Sequence, residues 1–249
     1  MDILALIPAR GASKGIPRKN LLVLAGKPLI AYSIEQALAS RWITRTIVST
    51  DNPEIAAVSK NFGAEIPFHR PPEFAQDLSP DIDVFRHALT WLAENEGYRP
   101  ELVVHLRPTG PVRRVEVIDR AIALLAAHPE ADALRSVSWP SQTPYKMWRT
   151  VNGYLEPLLQ VENLPDCQSV PRQMLPEVFW QNGYVDVLRP RAVLEMNSMR
   201  GEKVLPFVIQ EPIYELDYEE NVPRVEGALR RLAGGSPEET LPPQRRYPV

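Results

Sequence analysis

The apolar and polar residues in the first half of the chain alternate between strand-like and helix-like spacing. Residues 2–8 are almost wholly apolar and predict a buried strand. Residues 28–39 repeat apolar side chains at helical spacing, and residues 45–50 form a β-branched run that is typical of a strand. Strands that alternate with helices of this length predict a parallel sheet covered by helices on both faces.

The same rhythm continues along the chain. We expect a helix at residues 54–62, capped by Asp51 or Asn52 and closed by Gly63, and then a short strand at residues 64–68. Further elements are predicted as a helix at residues 84–95, a strand at 102–106, a helix at 118–125, a strand at 204–209 and a last helix at 225–232. The pattern predicts a Rossmann-like α/β fold with a mostly parallel central sheet.

The alternation of strand-like and helix-like spacing is interrupted between residues 139 and 184. Asn152 and Gly153 separate two strand-like runs, and this dipeptide is a strong signal for a β-hairpin. We therefore predict one α/β domain over residues 1–235, with a small excursion at residues 139–184. Residues 236–249 are polar and rich in proline, and we expect them to be poorly ordered.

Composition narrows the class of protein. The 249 residues are 44% hydrophobic and 24% charged, which is ordinary for a globular protein, and the net charge is −3. That charge gives no electrostatic case for nucleic acid or an anionic membrane as a partner, and no run of residues is long enough for a membrane span. A single cysteine, Cys167, suits a reducing compartment, and the four histidines show no zinc-ligand spacing. We expect a cytoplasmic protein.

The loop that follows the first predicted strand carries the clearest chemistry. It combines two glycines with four basic residues, which are Arg10, Lys14, Arg18 and Lys19. Ligands of parallel sheets bind beyond the carboxyl ends of the strands, and backbone N–H groups with cations suit a triphosphate. The loop matches neither the Walker pattern nor the dinucleotide fingerprint. The alternative is a solvated basic turn.

Residues 7–20 closely resemble the opening motif of the CMP-sialic acid synthetase family (acylneuraminate or nonulosonic acid cytidylyltransferases). The resemblance continues in order through residues 25–30, 48–51, 70–74, 106–113, 171–173, 181–183 and 215–217. It spans most of the chain. It implies a nucleotide-diphospho-sugar transferase fold, CTP as the nucleotide, and a homodimer in which residues 139–184 of one subunit reach towards the sugar site of the other.

The resemblance also implies a set of nucleotide contacts. They are Arg10, Gly11, Ala12, Ser13, Lys19, Asn20, Arg70 and Asp81. Arg10 and Lys19 are the catalytic cations, and Lys19 is expected to stabilise charge at the α-phosphate or on the departing pyrophosphate. The alternative for Arg70 is a surface ion pair with Glu73. Asp81 stands where the family commonly has a small hydroxyl residue, which leaves its contact open.

The family's acidic pair, usually Asp-x-Asp, corresponds to Glu215 and Asp217 in this chain. The resemblance implies that they bind Mg²⁺, and the i, i+2 spacing on an extended segment puts both carboxylates on one face. Glu215 departs from the family by one methylene, so its contact is either direct or through water. Asp217, acting through a metal-bound water, is also the candidate general base. The alternative is that both residues cap and solvate the last helix.

The expected sugar contacts are Arg107, Thr109, Lys146, Arg172, Gln181, Asn182 and Asp186. Lys146 and Arg172 match basic family positions and are the implied partners of the substrate carboxylate, although Lys146 could equally be an exposed hairpin lysine. Arg107 replaces a glutamine and Asp186 replaces a tyrosine of the family pattern. These two residues either pair with each other or read a different sugar substituent.

The expected activity is the transfer of CMP from CTP to a nine-carbon, sialic-acid-like 2-keto sugar acid. One alternative is a cytidylyltransferase for the eight-carbon acid 3-deoxy-manno-octulosonate. Another is a nucleotidyltransferase that uses a different nucleotide and a sugar phosphate. The third is a catalytically silent binding or scaffold homologue, which only the Glu215 substitution favours.

Overall fold

The computed structural model describes residues 1–234. Its strands are β1 (Ile3–Pro8), β2 (Val23–Leu24), β3 (Lys27–Pro28), β4 (Arg45–Ser49), β5 (Leu102–His105), β6 (Ala133–Ser138), β7 (Trp148–Val151), β8 (Tyr154–Pro157), β9 (Trp180–Leu188) and β10 (Val204–Val208). Its helices are α1 (Leu29–Ala39), α2 (Pro53–Asn61), α3 (Asp81–Asn95), α4 (Val115–Ala126), α5 (Pro190–Leu194) and α6 (Val222–Gly234), with short 3₁₀ helices at Lys19–Leu21, Pro72–Ala75, Pro144–Lys146, Arg172–Met174 and Glu219–Asn221.

Within residues 1–234, six strands form one sheet in the order β10-β6-β9-β5-β1-β4. All neighbouring pairs are parallel except those of β9, which runs antiparallel to both β5 and β6. The expected mostly parallel α/β architecture is therefore confirmed. The carboxyl ends of β1, β4 and β5 meet at one edge of the sheet, and the loops that leave this edge carry the candidate chemistry.

Alternating side chains of β1 build the two halves of the core. Ile3, Ala5 and Ile7 point to the face covered by α1, α2 and α4, whereas Leu4 and Leu6 point to the face covered by α3 and α5. All five are fully buried. A strand that is buried on both faces explains why residues 2–8 form a continuous apolar run rather than an alternating one.

A third, smaller apolar cluster lies under the basic loop. Ile16 from that loop packs with Leu29 of α1, Leu216, and Val225 and Leu229 of α6. The final helix thus buries three of its four expected apolar positions, while Leu232 is exposed. This cluster brings the basic loop and the acidic segment at residues 215–217 onto the same part of the molecule.

The hairpin prediction at residues 146–159 is confirmed, because β7 and β8 pair antiparallel across Asn152 and Gly153. Both turn residues have positive φ angles, of 50° and 83°, as the favoured two-residue turn requires. Asn52 is the observed cap of α2, and its side chain accepts hydrogen bonds from the N–H groups of residues 54 and 55.

Two expectations about strands were wrong or incomplete. The strand predicted at residues 64–68 is reduced to a single bridge between Glu65 and Ile47, because Pro67 has no N–H to extend the ladder. β6 and β9 were not predicted at all. The tail at residues 236–249 lies outside the described residues. Among residues 1–234, no helix has the length and apolar character needed to cross a membrane.

Candidate functional site

A cleft of about 270 Å³ opens at the carboxyl ends of β1 and β5. Its walls come from the loop after β1, from the segment between Arg70 and α3, and from the turn after β5. The expected site residues that line it are Arg10, Ala12, Ser13, Lys19, Asn20, Arg70, Asp81, Arg107 and Thr109. The cleft therefore joins the expected nucleotide residues to two of the expected sugar residues.

The basic loop is held in shape by contacts with its neighbours. The side-chain N–H of Asn20 donates to the carbonyl oxygen of Arg10 at 2.9 Å, which closes the loop on itself. The backbone N–H of Gly11 donates to the carboxylate of Asp51 at 2.8 Å. A Cβ atom at Gly11 would lie 2.9 Å from Asn52 side-chain atoms, so this position needs glycine for close approach. Gly11 contributes its backbone here and is not among the lining residues.

Two cations of the loop share one carboxylate on the opposite wall. Arg10 forms an ion pair with Asp77 at 3.2 Å, and Lys14 forms one with the same side chain at 2.7 Å. Arg10 also donates to the carbonyl oxygen of Gln76 at 2.8 Å. Lys14 and, more weakly, Arg10 hold the pKa of Asp77 below its usual value. The sequence analysis did not single out Asp77, and the only signal for it is its place in the segment that follows the Arg70 motif.

Lys19 connects the basic loop to the acidic segment. Its side chain is only 13% exposed, and its ammonium group lies 3.0 Å from the carbonyl oxygen of Leu216 and 3.1 Å from the carboxylate of Asp217. The N–H of Leu216 in turn donates to the carbonyl oxygen of Thr109 at 2.8 Å. Lys19 is thereby fixed where three chain segments meet at the cleft.

Glu215 and Asp217 lie close enough to interact. Burial raises the pKa of Glu215 above its usual value, and the negative charge of Asp217 adds to this rise. Two neighbouring carboxylates whose charges repel are an arrangement that a divalent cation relieves. Within residues 1–234, no group of three or more His, Cys, Asp or Glu side chains could hold a metal ion. The pair fits a cation that takes its remaining oxygens from phosphate or water.

Arg70 is buried at the back of the cleft. Its guanidinium donates to the side-chain oxygen of Ser49 at 3.1 Å and, through a second N–H, to the Ser49 carbonyl oxygen. Burial lowers the pKa of Arg70 to about 10, against the opposing effect of the carboxylates of Asp51 and Asp81. A surface ion pair with Glu73, the alternative from sequence, is therefore wrong for this residue.

Arg107 and Asp186 form the pair that their departures from the family pattern suggested. The guanidinium of Arg107 lies 2.7 Å from the Asp186 carboxylate, which is fully buried. Arg135, which was not a candidate from sequence, donates to the same carboxylate oxygen. Asp186 thus contacts other protein side chains and does not line the cleft. A buried arginine on a short strand gives no sequence signal that would have revealed Arg135.

The other expected sugar residues lie away from the cleft. Lys146 and Gln181 are exposed on the excursion, and Arg172 donates to the carbonyl oxygens of Pro140 and Ser141 at 2.7 and 3.3 Å. Asn182 corrects our expectation, because its side chain is buried rather than turned towards a ligand. Its amide donates to the Ser138 hydroxyl at 2.7 Å, which links β9 to β6, and accepts from the Tyr184 N–H of the same strand at 3.1 Å.

Known proteins match both the sequence and the fold. A family described as cytidylyltransferase matches residues 4–164. A CMP-N,N'-diacetyllegionaminic acid synthase from Legionella pneumophila is 40% identical over 214 residues, covering 84% of this chain and 87% of that protein. An N-acylneuraminate cytidylyltransferase from Escherichia coli O18:K1:H7 is 35% identical over 152 residues, covering 61% of this chain and 35% of that protein.

Solved structures agree on the fold. The structure of a CMP:2-keto-3-deoxy-manno-octonic acid synthetase complexed with CTP has a TM-score of 0.69 at 17% identity, covering 93% of this chain and 100% of that one. A 4-diphosphocytidyl-2C-methyl-D-erythritol synthase from Anaerococcus prevotii has a TM-score of 0.61 at 12% identity, covering 92% of this chain and 99% of that one.

The fold, the cationic cleft and the family match define a nucleotidyltransferase. More narrowly, the chain belongs to the cytidylyltransferase family, in the group of CMP-nonulosonic acid synthetases. The resemblance found in the sequence is thereby confirmed. The individual roles expected of the site residues stay predictions.

Proposed function

We propose that the chain transfers the cytidylyl group of CTP to a nine-carbon 2-keto sugar acid. The anomeric hydroxyl oxygen of the acid bonds to the α-phosphorus of CTP and loses its proton. The bond from that phosphorus to the bridging oxygen breaks, and pyrophosphate leaves. The observation that carries the proposal is that the cationic loop after β1 and the sugar-side residues Arg107 and Thr109 line one cleft.

The chain's own residues supply charge and position rather than covalent help. Phosphoryl transfer of this kind needs alignment of the attacking and leaving oxygens and stabilisation of phosphate charge. Arg10 and Lys14 would hold the triphosphate, and Lys19 would stabilise charge at the α-phosphate or on the departing pyrophosphate. Arg70, held rigidly by Ser49 at the back of the cleft, would fix the nucleotide without needing to reorganise.

We propose Mg²⁺ as the cofactor, held by Glu215 and Asp217. When bound, a divalent cation neutralises negative charge on the phosphate oxygens. The raised pKa of Glu215 and its repulsion by Asp217 support this assignment, because a cation would remove the cost of placing two carboxylates together. Asp217 also pairs with Lys19, so the cation would be held close to the Lys19 ammonium group.

The second candidate substrate is the eight-carbon acid 3-deoxy-manno-octulosonate. The observation in its favour is the high structural similarity to an enzyme named for that acid, but at 17% identity this similarity concerns the fold alone. The 40% identity to a protein named for a nine-carbon acid, over most of both chains, favours the nine-carbon class. A silent scaffold is a weaker candidate, since the cationic residues of the cleft are present.

We also propose a homodimer formed through the excursion at residues 139–184. The hairpin and the start of β9 expose large apolar side chains that a solvated monomer seldom displays together. They include Trp148, Tyr154, Leu155 and Trp180. Lys146, Arg172 and Gln181 lie on this same excursion, so a second subunit would supply a route by which they reach a sugar site. A reducing, cytoplasmic compartment stays part of the proposal on account of the single cysteine.

The test is pyrophosphate release with CTP against a panel of sialic, deaminated sialic, legionaminic, pseudaminic and octulosonic acids. We expect turnover with at least one nine-carbon acid, loss of turnover when the divalent cation is chelated, and recovery when Mg²⁺ is restored. GTP, UTP and ATP serve as matched controls and should give at most trace activity. Turnover with the octulosonic acid alone would support the second candidate, and silence with every acid would contradict both.

A further inference from the structure

Three neighbouring strands place polar side chains side by side at the edge of the sheet that carries the cleft. In the strand register, Arg135 of β6 is opposite Asp186 of β9, and Asp186 is opposite His105 of β5. Directly opposite residues point to the same face of a sheet, so the three side chains form one row. The row runs into the apolar core, because the next position on β1 is Leu6 and the His105 ring contacts Phe85 of α3.

The row reaches the cleft through His105, which is one of the lining residues, and its Asp186 also contacts Arg107. One oxygen of the Asp186 carboxylate accepts from both Arg107 and Arg135, and Arg135 also donates to the carbonyl oxygen of Met199 at 2.6 Å. On its other side, the guanidinium of Arg107 lies 3.7 Å from the carboxylate of Asp81. Arg107 is 27% exposed and lines the cleft, whereas Asp186 is fully buried. Arg107 is therefore held from behind by a buried anion.

Stability does not explain this arrangement. Buried ion pairs are about neutral, or worse, when compared with apolar residues that fill the same space. Here two arginines share the one buried carboxylate, and the second carboxylate near Arg107, that of Asp81, is 45% exposed. In addition, the second oxygen of Asp186 and both ring nitrogens of His105 are buried without a hydrogen-bond partner among the described residues. Uncompensated polar groups of this kind cluster at ligand sites.

We propose that Arg135, acting through Asp186, positions the guanidinium of Arg107 to donate hydrogen bonds to an acceptor group of the sugar acid. The inference rests on the proposed function and narrows the substrate class. A guanidinium only donates, so the group that it contacts must be an acceptor such as a carboxylate or an acyl carbonyl. Arg135 does not line the cleft, and it is a positioning residue rather than a catalytic one.

Steady-state kinetics on four variants test the inference: Arg107→Gln, Arg135→Met, Arg135→Lys, and the double variant Arg107→Gln with Arg135→Met. We expect each of the first two to raise the KM for the sugar acid about tenfold or more, while the KM for CTP changes less than about twofold. Because Arg135 acts through Arg107, the KM for the sugar acid should rise no more in the double variant than in Arg107→Gln alone. Arg135→Lys keeps the charge but not the paired N–H groups of the guanidinium. Its KM for the sugar acid should therefore lie between those of wild type and Arg135→Met.

A matched control removes a similar ion pair at the opposite edge of the sheet. Arg191 contacts the buried carboxylate of Asp132 at 2.8 Å, just before β6 begins, and neither residue lines the cleft. Arg191→Met should therefore leave both KM values unchanged even if it lowers the unfolding temperature. If Arg135→Met does not fold, the intermediate KM of Arg135→Lys carries the test.

Several outcomes would overturn the inference. Wild-type turnover upholds the proposed function, and three results would then contradict the inference. They are equal rises in the KM for CTP and for the acid, additive rises in the double variant, and an unchanged KM for the acid. An inactive wild type would instead remove the proposed function and the inference together. The acceptor is identified by repeating the Arg107→Gln measurement with deaminated sialic acid. A rise in the KM for the acid that persists indicates the carboxylate, and a rise that disappears indicates the acyl carbonyl.

Discussion

Lys19 is the residue at which the two chemically important segments of the molecule meet. Its ammonium group contacts both the carbonyl oxygen of Leu216 and the carboxylate of Asp217, and only a small part of its side chain is exposed. A cation that is held rigidly beside a cleft can stabilise developing charge without moving. Neither the sequence around Lys19 nor the sequence around the acidic pair predicts that the ammonium group lies beside Asp217.

Substituting Lys19 tests this role. We expect Lys19→Met to lower kcat about 100-fold or more, because a preorganised charge at the phosphate is lost while the bulk of the side chain is kept. The control is Lys27→Met, since Lys27 pairs with Glu35 on the surface and does not line the cleft. Stopped assays of pyrophosphate release give both values, and a kcat within twofold of wild type for Lys19→Met would refute the assignment.

Gly15 offers a second prediction at the residue scale. A Cβ atom at this position would lie 2.2 Å from the carbonyl oxygen of Asp217, so Gly15→Ala must displace the basic loop from the acidic segment. Displacement by about 1 Å is expected to lower kcat/KM for CTP on the order of 100-fold. Gly227→Ala is the control, because a Cβ there meets only the end of the Arg231 side chain at 3.5 Å. Equal kinetics for the two variants would show that the close contact has no role.

The sequence revealed the cations that line the cleft better than the residues that pair with them. Arg10 and Lys19 stand out because cations and glycines follow a buried strand, whereas Arg70 was identified through the family motif at residues 70–74. Arg135 and Asp77 do not stand out, because one lies on a short strand with mixed polarity and the other in an ordinary turn. Whether a charge is buried or paired depends on the strands that come together around it, which one short segment does not encode.

At the scale of the element, the sequence predicted the strands that are buried on both faces and missed those that carry polar groups. β1, β4 and β5 are continuous apolar or β-branched runs. β6 contains an arginine and three residues of low β propensity, and β9 contains an Asn-Gly pair and a buried aspartate, so neither resembles a strand in isolation. Their polar positions include Arg135 and Asp186, which lie behind Arg107. Because these positions serve the site, the sequence there lacks the apolar pattern of a strand.

Asp132 holds several elements together and gives a prediction about pH. The N–H of Lys203, the N–H of Glu202 and the Arg191 guanidinium all keep its pKa below the usual value. A carboxylate with a lowered pKa contributes stability above its unfolded pKa of about 4, and that contribution is lost as the pH falls through its folded pKa.

We therefore expect Asp132→Asn to lower the free energy of unfolding by about 2 kcal/mol at neutral pH. The difference from wild type should shrink as the pH falls below about 4. Urea unfolding at several pH values measures both quantities. Asp119→Asn is a comparison in which a buried carboxylate accepts from the Ser40 hydroxyl and forms an ion pair with the exposed Arg41 at 3.6 Å. A difference for Asp132→Asn that stayed constant down to pH 2 would contradict the charge-based explanation.

At the scale of the whole molecule, the excursion at residues 139–184 exposes large apolar side chains, and its packing within one subunit does not explain their exposure. Its hairpin exposes Trp148, Tyr154 and Leu155, and the start of β9 exposes Trp180. Large exposed apolar side chains that are concentrated in one segment are typical of a protein–protein interface. The sequence predicted the hairpin from Asn152 and Gly153, and in the proposed homodimer a second subunit would cover it.

The expected consequence is a concentration-dependent homodimer. Leu155→Asp, at a side chain that is 66% exposed, should shift sedimentation equilibrium towards monomer without lowering the unfolding temperature of the monomer. Leu78→Asp serves as the control, because Leu78 is 94% exposed and lies outside the excursion. A wild-type protein that sediments as a monomer at all accessible concentrations would rule out the dimer.

The carboxylate of Asp77, shared by Arg10 and Lys14, makes the basic loop behave like an ion-exchange resin that is already loaded with its own counter-ion. An incoming anion must carry more charge than one carboxylate in order to take its place. A triphosphate satisfies this condition, whereas the phosphate diester group of a CMP conjugate, with its single negative charge, does not. In the proposed reaction, the carboxylate of Asp77 would therefore replace the diester of the conjugate on the loop, and the next triphosphate would displace Asp77 in turn.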